Sequence, residues 1–176
     1  HIKGQKPRAT VVTCSDSRVH THALDNDPEG DLFMIRDIGN QVTTAEGAVE
    51  YGVRHLHTPL LLVIGHSACG AVKAAMGDYA GIEAPIKREL DTIKVPGKNA
   101  SDNKEVIASV EANVNNQIAF AMEKFAPEIK AGKLAVMGAV YDFRNDYNQG
   151  HGKLVITNVN GDTDAAKIKA SGLLPK

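Results

Sequence analysis

The chain has 176 residues, 43% of them hydrophobic and 23% charged, with no tryptophan and a formal net charge of −1. That length suits one domain with a core of its own, and the near-neutral balance excludes the basic surface that nucleic acid or an anionic membrane requires. The longest apolar run, Pro59 to Ile64, is far too short to span a bilayer.

In chain order, "ATVVTC" (9–14) is a short β-branched run and reads as a buried strand. "DLFMIRDIG" (31–39) reads as a second strand. "TTAEGAVEYGVRHL" (43–56) opens with a capping-box pattern, Thr43 and Glu46, and places Ala45, Ala48, Val49, Val53 and Leu56 on one helical stripe. "PLLLVIG" (59–65) is apolar throughout, as strands buried on both faces of a parallel sheet are. "CGAVKAAMG" (69–77) reads as a helix stopped by Gly77. A short helix and a polar Pro/Gly/Asn loop fill the middle of the chain. The longest helical pattern, 104–126, follows and is ended by Pro127. "GKLAVMGAVYD" (132–142) and "GKLVITNV" (152–159) are the fourth and fifth strands. Strands alternating with helices predict an α/β fold with a mainly parallel open sheet of four to five strands. The last connection is too short for a helical crossover, so the fifth strand is expected as an antiparallel edge.

Two cysteines would allow one disulfide, but their neighbours point elsewhere. Cys14 stands two residues before Asp16 and four before Arg18, and Cys69 follows His66 by three; both settings fit metal or catalytic use better than a staple. In an open parallel sheet ligands bind at the carboxyl ends of the strands. Cys14 ends the first strand and His66 follows the third, so adjacent pairing of those strands would unite the two motifs. Cys14, His66 and Cys69 would then form a soft donor set that selects tetrahedral zinc and leaves a fourth position for water or substrate. Two other readings stay open at this point: a closed zinc whose fourth ligand is Asp16 or a distant histidine, and two buried thiols without metal. A zinc ion with two thiolates is formally neutral and acidifies water less than one held by three imidazoles. Asp16 could help by accepting a hydrogen bond from zinc-bound water. Arg18 would keep that carboxylate ionised through a two-donor grip. The plainer reading of Asp16 and Arg18 is a surface ion pair worth about 0–1 kcal/mol.

Cys14-x-Asp16-x-Arg18 followed by His66-x-x-Cys69-Gly70 resembles the β-class carbonic anhydrases, and the resemblance runs from "GQKP" (4–7) to the "VYD" strand near 140. It implies the β-carbonic anhydrase fold over a single zinc-dependent catalytic domain, 1–176. It also implies one zinc per chain on Cys14, His66 and Cys69, with Asp16 on the metal only in a closed state. The implied activity is reversible hydration of CO2 to bicarbonate and a proton, by zinc-bound hydroxide oriented by Asp16 and Arg18. Gln5, Phe33, Tyr51 and Gly70 match positions lining the family's substrate pocket. Phe33 and Tyr51 suit an apolar, linear molecule, while the Gln5 amide and the Gly70 N–H could hold an oxygen. Part of that pocket comes from a neighbouring subunit in this family, so a homodimer or dimer of dimers is implied. Val11 occupies a position where members with a closed resting state tend to carry tryptophan, which favours the open form. The connection "FRNDYNQGHGK" (143–153) departs from the family's short turn and could lie near a subunit contact or mark another substrate.

The rivals are a carbonyl sulfide or carbon disulfide hydrolase of the same superfamily and a non-catalytic zinc-binding module. A cysteine phosphatase is disfavoured because its arginine lies farther from the cysteine than Arg18 does from Cys14. His20, His22 and His151 are candidate proton shuttles, each read first as a solvated surface histidine. His55 and His57, two apart on the expected helix, cannot face one metal and read as structural. The chain starts at His1 rather than Met, so a missing N-terminal segment is expected. So is a cytoplasmic location, or a periplasmic or secreted one if a signal peptide has been removed.

Overall fold

In the computed structural model, which describes residues 4–173, the five apolar runs form one sheet. The strands are β1 (Ala9–Cys14), β2 (Leu32–Asp37), β3 (Leu60–His66), β4 (Ala135–Asp142) and β5 (Lys153–Val159). Their order is β2-β1-β3-β4-β5. β1 pairs parallel with β2 and β3, and β3 pairs parallel with β4. β5 runs antiparallel beside β4, as the short connection requires. Thr13 pairs with Ile64 and Cys14 with Asp37, so the carboxyl ends of β1, β2 and β3 finish almost level. His66 ends β3 opposite Tyr141 of β4.

The helices are α1 (Glu46–Glu50), α2 (Gly70–Ala75), α3 (Ala84–Leu90), α4 (Asn103–Lys124), α5 (Ala126–Lys130) and α6 (Ala165–Ala170). On one face of the sheet Val12, Ile35, Leu61, Val63 and Val136 pack with Val114, Ile118, Ala121 and Phe125 around α4. Two glycines let α4 lie close. A Cβ at Gly65 would stand 2.8 Å from Val110 and 2.9 Å from Val114, and one at Gly138 would stand 2.6 Å from Val114. The other face carries buried Ala9, Val11, Ile64 and Ala139, ringed by half-buried Leu32, Met34, Leu60, Leu62 and Ile156. On that face α6 covers one end, through Ile168 against Met137 and Val159. No helix among the described residues is long and apolar enough to cross a membrane.

Several boundaries differ from expectation for physical reasons. The capping box at Thr43 does not form. The Thr43 amide donates to Gln117 Oε1 at 3.2 Å, and α1 starts only at Glu46 with Ala45 as its cap. Tertiary pairing with α4 outbids the local motif. The helix then widens into a π-helical turn, Tyr51–His55, and His57 lies beyond its end with a left-handed φ of 55°, so His55 and His57 do not share a helix. Pro127 does more than end a helix: α4 stops at Lys124, and the proline sits in the first turn of α5, where its missing N–H costs nothing. α6 was not anticipated; its signal is Asp164, whose side chain accepts from Lys167 N.

Candidate metal centre

Each donor is placed by a different backbone device. Cys14 is the last residue of β1, and the amide of Gly39, just past β2, donates to its Sγ at 3.5 Å. Gly39 takes a φ of 82°, and its carbonyl accepts from Asn113 Nδ2 of α4 at 2.8 Å. His66 ends β3 fully buried. Between His66 and Cys69 the chain turns sharply through Ala68, whose φ of 53° is left-handed. Such a conformation is uncommon for a residue with a Cβ and is held only where surroundings over-determine it. Cys69 occupies the cap position of α2 without a side-chain cap bond, and the exposed Gly70 after it has nothing within 4 Å of where a Cβ would stand, so the space beside Gly70 is open.

The Cys14 and Cys69 sulfurs and a His66 ring nitrogen lie within 4.8 Å of one another. The His66 Nδ1–H donates to the Ser67 carbonyl at 2.9 Å. This fixes the tautomer and leaves Nε2 as an acceptor. Nε2 is buried and has no partner. A buried, unpaired imidazole nitrogen beside two thiols is what a soft divalent ion would satisfy. Tetrahedral zinc asks for donor separations of roughly 3.5–3.8 Å, inside the 4.8 Å that bounds the cluster. The neighbouring Cys69 thiol pulls Cys14 down to about 4, against burial and with help from the Gly39 amide. Donation to Cys14 and burial push Cys69 well above its ordinary value.

Asp16 stands at the rim. Arg18 grips it with Nε on Oδ1 at 2.9 Å and a terminal nitrogen on Oδ2 at 2.7 Å, and the Arg18 amide adds 2.9 Å to Oδ1. Asp16 Oδ2 lies 3.9 Å from His66 Nε2. The Arg18 hydrogen bonds hold the Asp16 carboxyl well below the usual carboxylate range. The pair is therefore a bidentate fork aimed at the metal donors rather than a free surface contact.

The pocket residues inferred from the resemblance fall into two groups. Gly70 adjoins the ligand cluster. Phe33 pairs with Thr10, four register steps before the Cys14–Asp37 end, about 13 Å away along the strand. Phe33 packs against Tyr51 with ring centroids 6.0 Å apart, and Tyr51 is 48% exposed. Gln5 is exposed ahead of β1. The exposed rings of His20 and His22 stack at 5.3 Å, Tyr51 stacks on His55 at 5.3 Å, and His151 Nδ1–H donates to the Phe143 carbonyl at 3.0 Å.

Three residues around the centre were not singled out from sequence. Arg36 ties the rim loop by donating to the Asp16 and Val19 carbonyls at 2.9 and 2.7 Å. Asp142 is buried and accepts from Ser67 Oγ, which lies between the two ligands of the turn, at 2.9 Å. Burial works to raise Asp142, but the Tyr147 and Asp146 amides and the Ser67 hydroxyl outweigh it and hold the carboxyl below its ordinary value. Phe143 follows β4 and stacks on His66 with centroids 5.9 Å apart. The available signal is positional: Asp142 ends the strand next to β3 and Phe143 directly follows it.

An open α/β sheet with two thiols and an imidazole at its carboxyl edge defines a class of metal-binding enzyme. A sequence profile described as carbonic anhydrase matches residues 9–148. "Carbonic anhydrase 2" of Mycobacterium tuberculosis is 31% identical over 147 residues, covering 78% of this chain and 71% of the relative. The β-carbonic anhydrase of Coccomyxa, solved in complex with acetazolamide, superposes with a TM-score of 0.73 at 25% identity, over 94% of this chain and 78% of that one. A tetrameric β-carbonic anhydrase from the filamentous ascomycete Sordaria macrospora gives 0.72 at 25% identity, over 88% and 82%. The chain belongs to the β-carbonic anhydrase family and is an enzyme of that class.

Proposed function

We propose that this chain catalyses the reversible hydration of CO2 to bicarbonate and a proton, with one zinc ion held by Cys14, His66 and Cys69. The observation that carries the reading is the unpaired, buried His66 Nε2 between two thiols, with an arginine-locked carboxylate 3.9 Å away. Zinc in such a set supplies Lewis acidity that makes water nucleophilic near neutral pH. The chain's own residues do the rest. Asp16, ionised because Arg18 holds it, accepts a proton-bearing hydrogen bond from the attacking water and fixes its lone-pair direction. The Ser67 carbonyl holds Nδ1 of His66, so the ring cannot swing away from its task. The open corner beside Gly70 admits the substrate, and the Gly70 N–H offers a donor to its oxygen.

Phe33 and Tyr51 lie too far along the sheet to wall this chain's own centre. Their exposure supports an assembly in which they wall the centre of a second subunit, and the half-buried apolar ring around Val11 offers surface for such a contact. The Sordaria relative is described as tetrameric, which supports a homodimer or dimer of dimers here.

Stopped-flow CO2 hydration by the zinc-loaded protein, with carbonyl sulfide as competing substrate, tests the reading. Asp16→Asn should keep its metal and lose roughly 10- to 100-fold in turnover, the range for residues that orient a metal site. Full activity in that variant would remove Asp16 from the mechanism. Turnover of carbonyl sulfide with none of CO2 would redirect the assignment to a hydrolase.

A further inference from the structure

Arg18 has a difficult task in this site. Its side chain is 50% exposed, and a long side chain so exposed samples many rotamers. Yet its two-donor grip on Asp16 needs the guanidinium plane in one orientation. Something must hold that plane.

We propose that Phe143 is the positioning residue for the Asp16–Arg18 pair, and that the long 143–152 connection serves to hold its ring there; the catalytic consequence rests on the reading of the site given above. The Arg18 Cζ lies 4.7 Å over the Phe143 ring centroid. The same ring lies near-parallel to the His66 imidazole, 29° apart in plane at 5.9 Å. One aromatic side chain thus touches both the cation that locks Asp16 and the imidazole whose Nε2 faces that carboxylate. The negative face of the ring attracts the guanidinium and favours its stacked orientation.

The ring is itself held firmly. Tyr141 meets it edge-on at 5.9 Å. Its backbone carbonyl accepts from His151. Asp142, the preceding residue, accepts from the amides of Asp146 and Tyr147 at 2.9 Å each, and its own carbonyl accepts from the Gly152 amide at 2.7 Å. Within the loop, Asn145 Oδ1 accepts from the Gly150 amide at 2.7 Å. The Tyr147 ring packs against the cluster that contains Cys14 and Cys69, and its hydroxyl donates to Glu111 of α4 at 2.7 Å. Asp142 also accepts from Ser67 in the ligand turn. The loop is therefore bolted to β4, to α4 and to the turn that carries two of the three metal donors. A short hairpin turn would lack the anchors that Asn145, Asp146, Tyr147 and His151 supply.

The test reads the Arg18 side chain directly. In nitrogen-15 NMR of the zinc-loaded protein, the Arg18 Nε–H signal, assigned by its loss in Arg18→Lys, should be shielded by the ring and sharp. In Phe143→Leu it should move downfield and broaden, while Phe143→Tyr, which keeps the π-face, restores it. Stopped-flow CO2 hydration should show kcat falling about three- to tenfold in Phe143→Leu, the scale of one lost cation–π contact, with KM for CO2 unchanged within about twofold. An unmoved Nε–H signal, an unchanged kcat, or a rise in KM alone would overturn the proposal; the last would make Phe143 a plain pocket wall. The signal is also recorded on metal-free protein, so a Phe143→Leu chain that releases zinc is still scored. If the unaltered enzyme shows no CO2 hydration while the signal moves as stated, the CO2 reading fails and the positioning of Arg18 by Phe143 stands.

Discussion

At the carboxyl ends of β1 and β3, Cys14, His66 and Cys69 are buried; the Gly39 amide holds the Cys14 sulfur, the Ser67 carbonyl holds the His66 ring, and Asp142 holds the Ser67 hydroxyl of the turn. Toward the opposite end of the sheet, Phe33 packs against a Tyr51 left 48% exposed, on a helix that loosens into a π turn. One region is packed and hydrogen-bonded within the chain except at His66 Nε2. The other leaves Tyr51 uncovered by any element among the described residues. The contrast teaches that a metal pocket and an apolar wall can be encoded on one chain yet be too far apart to serve each other. On the function proposed above, symmetry would bring the wall of one copy to the pocket of the next.

The comparison breaks most sharply at Cys69. Cys69→Ser should reduce metal content from one ion per chain to near zero and cost more than the roughly 100-fold expected of outer residues. Its assembly size by light scattering should stay unchanged, because the exposed aromatic pair is untouched. Retained metal would mean that Cys69 is not a donor. A sharper test mixes two inactive chains, Cys69→Ser and Phe33→Ala. If wall and pocket come from different subunits, a heterodimer rebuilds one intact site of two. An equal mixture with free subunit exchange should then regain about a quarter of normal activity. No recovery would place Phe33 in its own chain's site.

Smaller effects probe the frame that joins the two regions. Gly138→Ala puts a Cβ 2.6 Å from Val114. It should lower stability by about 1–3 kcal/mol in urea unfolding, with metal content kept under native conditions. The smallest concerns Asp37, which burial pushes up to about 6 despite hydrogen bonds from the Gln41 amide and the Thr44 hydroxyl. The unfolded chain gives up this proton near the ordinary value of 3.8 and the folded chain near 6. Between those values the native state binds more protons, so stability falls as pH rises through that window and stays lower above it. Asp37→Asn should flatten this slope, a change on the order of 1 kcal/mol in urea midpoints taken from pH 4 to 7.

Much of the molecule is legible in its sequence because strand burial is written locally. The runs at 9–14 and 59–65 carry their own apolar signal, and the spacing of Cys14 to Arg18 and of His66 to Cys69 shows which strand ends matter. The parts that escape are those decided by distant partners. Thr43 looks like a cap until Gln117, far along the chain, takes its amide. Phe143 looks like the start of an ordinary loop until the pairing of His66 with Tyr141 sets it beside the imidazole. Tyr51 and Phe33 could be named from the family pattern, but their distance from the ligands appears only once the register of β1 and β2 is known.

The strand order has one more consequence. β1 and β3 sit second and third among five strands, each flanked on both sides, and interior strands of this kind open only in fluctuations close to complete unfolding. Amide hydrogens along Val12, Thr13, Val63 and Ile64 should therefore be among the slowest to exchange. Cys69, fully buried just past the end of β3, therefore sits against the most slowly exchanging part of the sheet.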